Sequence, residues 1–119
     1  MYYNFNPNLK EPWNVIHPFQ LPAVQQLCKN EFPQDIEAIF LFGSSLDLSC
    51  HKYSDLDLYV ATANSNASEV YDYIYAKCLP LKKRFDILIG SMEDLEHYKN
   101  EVGTIESQVA ERGVCIYAK

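Results

Sequence analysis

At 119 residues the chain is one domain, large enough to bury a core without disulfide staples. Its 48% hydrophobic and 22% charged residues are ordinary for a globular protein in water. Ten basic against 16 acidic side chains give a net charge of −6, which argues against an extensive nucleic-acid or anionic-membrane surface, because such surfaces need clustered Lys and Arg.

In chain order, the first stretch, "MYYNFNPNLKEPW" (1–13), is rich in Asn, Pro and aromatics, and irregular structure is expected there. It lacks the basic start and apolar centre of a signal peptide, and no later apolar run reaches membrane-spanning length, so a cytoplasmic location is expected. "FQLPAVQQLCKNEF" then places Leu21, Val24, Leu27 and Cys28 at helical spacing, with Pro22 in the first turn, where its missing N–H costs nothing. "IEAIFLF" is a nearly unbroken apolar run, the pattern of a strand buried on both faces. After Gly43 a short helix or loop leads to "DLDLYVA". That segment alternates, with Asp55, Asp57 and Tyr59 on one face and Leu56, Leu58 and Val60 on the other.

"NSNAS" reads as a turn, and "SEVYDYIYAKCL" as an amphipathic helix burying Val70, Ile74 and Cys78 before Pro80 closes it. "KKRFDILIG" is a third strand, with Phe85, Ile87 and Ile89 facing one way and Asp86 and Leu88 the other. Ser91 followed by Asp94 resembles a capping box. The stripe Met92, Leu95, Tyr98, Val102, Ile105, Val109 continues at steps of three and four, and Gly103 divides it into two helices. "GVCIY" is a last short strand. The order predicts an α/β (α+β) domain spanning 1–119, with a small mixed sheet of about four strands and flanking helices. Cys28, Cys50, Cys78 and Cys115 are dispersed, form no C-x-x-C pair and read as reduced thiols.

The acids are the unusual feature. Two residues along a strand span about 6.6 Å and point the same way, so Asp55 and Asp57 are like charges side by side. Hard carboxylate oxygens at that spacing suit Mg²⁺ or Mn²⁺, alone or as a two-ion site with substrate phosphates. Asp86, alone in another apolar strand, is the candidate third ligand. An outward-facing strand would also carry D-x-D with no function. What raises the pattern above that is the company of Asp86 and of the Gly43-Ser44 turn, whose free N–H groups can receive phosphate if a helix begins there.

With these residues in view, "LFGSSLDLSCHKYSDLDLYV" together with "RFDIL" resembles the nucleotidyltransferase signature of the DNA polymerase β-like superfamily, in particular its minimal, MNT-type domains. The resemblance runs from about Ile36 to Tyr117. It implies that Gly43 and Ser44 bind the triphosphate and that Asp55, Asp57 and Asp86 are the catalytic acids holding two Mg²⁺ ions. The implied reaction transfers a nucleoside monophosphate, AMP from ATP, to a hydroxyl. Small domains of this kind are often paired with HEPN-type RNase toxins and act as antitoxins, some by modifying a toxin tyrosine; a HEPN-type protein and a second copy of this chain are the partners to consider. Two alternatives remain: a non-catalytic antitoxin that keeps the fold, and a transferase acting on a small molecule.

The sequence departs from the family at one place. Where relatives often read G-S-R-A-R-G, this chain has Gly43, Ser44, Ser45, Leu46, Asp47 and Leu48, without either arginine. Lys52, Lys82, Lys83 and Arg84 flank the acid-bearing strands and are candidates to replace that charge, although "KKR" before a strand is commonly a solvated edge. His51 lacks a partner at ligand spacing and reads as a loop residue.

Overall fold

The computed structural model describes residues 16–46, 50 and 54–119. Within them the expected elements appear in the expected order. Helix α1 (Leu21–Leu27) carries its proline in the first turn and buries Ala23, Val24 and Leu27. Strand β1 (Ile36–Phe42) leads into a 3₁₀ turn, Gly43–Leu46, and strand β2 runs Leu56–Thr62. Helix α2 (Ala67–Cys78) and a second 3₁₀ turn (Leu79–Leu81) precede strand β3 (Phe85–Gly90). Helices α3 (Met92–Tyr98) and α4 (Ile105–Arg112) follow, and strand β4 (Val114–Ala118) ends the fold.

Three helix starts are fixed by side-chain caps. Asn66 accepts from the Glu69 N–H, Ser91 from the Asp94 N–H and Thr104 from the Ser107 N–H, each satisfying a donor that the first helical turn leaves open. Gly103 sits at φ +95° in the turn between α3 and α4, so the helical stripe is broken there. The stripe is also shorter than its periodicity promised. Leu95 and Val109 are fully buried, but Val102 is 96% exposed and Ile105 40% exposed, because both lie at the break rather than over the sheet.

The sheet is mixed and open, ordered β3-β2-β1-β4. β1 pairs antiparallel with β2 and with β4, whereas β2 and β3 are parallel and joined through α2, as a parallel pair requires. Helices cover both faces. Ile39 and Leu41 of β1, with Leu56, Leu58 and Val60 of β2, pack toward α1 and α2. Ala38, Phe40 and Phe42, with Tyr59 and Ala61, pack toward Leu95 of α3 and Val109 of α4. This two-sided cover explains the unbroken apolar text of β1, and it counts against the alternative in which D-x-D lies on an outward-facing strand. β2 is central and buried on both faces, and Asp57 is its one half-buried residue. No helix among the described residues is long and apolar enough to cross a membrane.

Candidate active site

The acid-bearing end of the sheet is assembled by strand register. Phe42, the last residue of β1, pairs with Asp57, and Asp57 in turn pairs with Asp86 across the parallel β2–β3 ladder. Side chains of directly paired residues leave the sheet on the same face. Asp57 and Asp86 therefore face one another at the edge of the cover that α3 and α4 provide. Asp55 lies just ahead of β2, whose first residue, Leu56, is held to the chain before β3 by its N–H donating to the Arg84 carbonyl at 2.9 Å.

Gly43 closes the site from the β1 side. Its φ of +82° belongs to the left-handed region, where a side chain is strained. A Cβ there would also overlap Oδ2 of Asp57 and lie 3.2 Å from its Cγ. The glycine is needed twice over, once for the turn and once so that the backbone can lie against the carboxylate. The Ser44 backbone continues the 3₁₀ turn; its side chain lies outside the described residues, as do 47–49 and 51–53 with Asp47, Leu48, His51 and Lys52.

Electrostatics identify the acids as one unit. Partial burial, then the charges of Asp86 and Asp55, then a hydrogen bond shared with Asp86 push the Asp57 carboxyl up from 3.8 to about 6. A carboxyl raised by burial and by neighbouring carboxylates is short of positive charge. One cation enters the group: Arg84 Nε lies 3.5 Å from Asp55 Oδ1, in a pair whose guanidinium side chain is 85% exposed. Two of the candidates to supply charge to phosphates already have partners in the structure. Arg84 is engaged by Asp55, and Lys83 Nζ donates to the Phe19 carbonyl at 3.0 Å. Lys82 is exposed, at φ +58°.

The donor set fits a hard divalent cation in type and in charge. It does not yet fit in geometry, since no group of three or more His, Cys, Asp or Glu side chains among the described residues closes to metal-holding distance. The structure thus unites Asp57, Asp86 and Gly43 closely, and leaves Asp55 alongside them but turned to Arg84.

Behind the acids, Tyr59 ties the site to its cover. Its hydroxyl donates to Glu106 Oε2 of α4 at 3.3 Å, and a Cβ on Gly90 would overlap that hydroxyl. Burial and the Glu106 carboxylate raise the phenol well above its usual range, so it stays protonated. Two residues were missed by the sequence reading: Gln20, just ahead of α1, and Ser45 are fully buried polar side chains beside the loop.

The mixed α/β sheet with helices on both faces agrees with the polymerase β-like nucleotidyltransferase fold. No curated protein matches the chain. A family model described as "Polymerase beta, Nucleotidyltransferase" matches residues 23–119, which takes in every strand and each of the three acids. On that match the chain belongs to the polymerase β nucleotidyltransferase family.

Proposed function

We propose that this domain is a nucleotidyltransferase that moves AMP from ATP to a hydroxyl acceptor, with Asp55, Asp57 and Asp86 as its acids and with Gly43 and Ser44 at the triphosphate. The observation that carries the reading is the Asp57–Asp86 pair. Two carboxylates are set face to face by strand register, with Asp57 raised by partial burial and then by the charge of Asp86, and closed in by a backbone that only glycine allows. Such an arrangement is unfavourable by itself and becomes favourable when a divalent cation and its phosphate ligands arrive. Mg²⁺ or Mn²⁺, bound as two ions by the three acids, would neutralise charge building up on the phosphates.

The chain's own residues would then divide the work. Asp57 and Asp86 present oxygens on one face, Asp55 joins them on leaving Arg84, and Asp86 on the edge strand is placed to hold the acceptor hydroxyl and take its proton. The Gly43 turn supplies backbone room for the triphosphate. A tyrosine of a HEPN-type partner protein is the acceptor to test, which would make the chain an antitoxin acting in the cytoplasm.

The test is transfer of label from ATP in the presence of Mg²⁺, with and without that partner. Label on the partner with wild type and none with Asp57→Asn is the expected result. A second reading has one observation in its favour, the Arg84–Asp55 pair, which occupies an acid that catalysis needs. In that reading the domain is a non-catalytic binding module. Partner binding that survives Asn at all three acid positions, with no label transferred by wild type, would establish it.

A further inference from the structure

The connection from β1 to β2 carries the Gly-Ser turn at one end and Asp55 at the other. The chain just before α1 holds both ends. The His17 N–H donates to the Ser45 carbonyl at 2.8 Å, and Gln20 Nε2 donates to the Ser54 carbonyl at 2.7 Å. These two residues are joined to each other, because the Gln20 N–H donates to the His17 carbonyl at 2.9 Å. One turn of backbone thus spans the mouth of the loop.

Gln20 is an odd choice for this position unless that span matters. It is 0% exposed, and although it stands at the helix start its side chain makes no capping bond there. Its Oε1 is buried without a partner among the described residues, as is Ser45 Oγ. An unpaired buried acceptor is costly, and an apolar side chain of the same size would avoid that cost. The one compensation visible for Gln20 is its bond to Ser54, the residue before Asp55. Both orphaned polar atoms therefore belong to the same clamp.

We propose that Gln20 is a positioning residue: with His17 it clamps both ends of the β1–β2 connection, and so fixes the distance between the Gly43 turn and Asp55 for a bound nucleoside triphosphate. This rests on the nucleotidyltransferase reading above for its ligand, and on the hydrogen bonds alone for the clamp. The clamp is a feature of α1's leading turn, and neither residue touches the reacting atoms.

Amide hydrogen exchange followed by NMR separates the two. Gln20→Met keeps length and volume and removes the donor. It is expected to speed exchange of the Leu56 N–H, and also of the His17 N–H at the other end of the clamp, by about three- to tenfold more than the mid-sheet amides of β1 and β2. His17→Pro removes the other bond, together with the exposed His17–Phe19 contacts, and is expected to speed Leu56 in the same selective way. That second variant decides the matter if Gln20→Met does not fold. For Mg²⁺-ATP as the probe, either change should weaken binding by a similar three- to tenfold factor. Exchange that is unchanged at Leu56, or faster to the same degree everywhere, overturns the clamp. If wild type itself fails to bind Mg²⁺-ATP, the proposed function falls, while the clamp is still decided by the crossed exchange effects.

Discussion

Replacing Asp57 by Asn should stabilise the protein, and should do so only above a definite pH. The Asp57 carboxyl titrates at about 6 in the fold against 3.8 when unperturbed, so the folded state binds its proton more tightly than the unfolded chain does. Stability from that proton is fully present below pH 3.8 and is lost as pH rises through about 6. The full difference corresponds to about 3 kcal/mol; the carboxylate is half-open to screening water and salt, which leaves about 1–2 kcal/mol. In a domain of this size that is a rise in Tm of about 4–10 °C for Asp57→Asn over wild type at pH 8, shrinking toward nothing at pH 4. Thermal unfolding of both proteins across pH 4–8 in chelator measures the difference. Added Mg²⁺ or Mn²⁺ should raise wild type at pH 8 and leave the variant where it was. A gap that stays constant across the pH range, with no response of wild type to either cation, would refute the coupling of the acids and the site built on it.

Gly43→Ala should cost about 1–3 kcal/mol, through the left-handed φ and the overlap with the Asp57 carboxylate, and should abolish Mg²⁺-ATP binding; urea unfolding and calorimetric titration read the two effects. Arg84→Ala frees Asp55 from an exposed ion pair, so stability should move by less than about 0.5 kcal/mol while Mn²⁺ affinity, followed by electron paramagnetic resonance, rises. Gly90→Ala should destabilise by about 2–3 kcal/mol because its Cβ would overlap the Tyr59 hydroxyl. In the Tyr59→Phe background the same change should cost measurably less, a coupling that a double-mutant cycle of urea midpoints would detect. Thiol-reactive reagents should label Cys28 and Cys78 slowly in the native state, since burial pushes both thiols up to about 12; fast labelling before unfolding would contradict their packing.

The strands were legible because burial on two faces writes an apolar run, as in Ile36–Phe42, and the helices through their apolar spacing and, for α3, through Ser91 at its start; the caps Asn66 and Thr104 emerged only in the structure. The acids were legible as a set because a carboxylate inside a strand is otherwise expensive. Their pairing was not. That Asp86 meets Asp57 follows from a parallel register, which two segments separated by a helix do not disclose. Nor was the engagement of Arg84 visible, since "KKR" reads equally as a solvated edge, and a 3.5 Å contact depends on where β3 starts. The exposure of Val102 shows the opposite error: its spacing fits a stripe whose helix has already ended. Gln20 was hidden for another reason, because a polar side chain that bonds to a main-chain carbonyl leaves no partner of matching type in the sequence, and nothing in the text marks the buried hydroxyl of Ser45.

The parallel pairing of Asp57 with Asp86 also bears on how the domain reaches its native form. Side chains alternate along a strand, so a slip of β3 by one residue would turn Asp86 under α2 and bring Phe85 or Ile87 opposite Asp57. A misaligned sheet would then hide a charge in oil and dismantle the acid-bearing face in the same move. The segment from Phe85 to Ile89 is in effect a key with one insertion depth: one register alone both buries Ile87 and leaves Asp86 opposite Asp57.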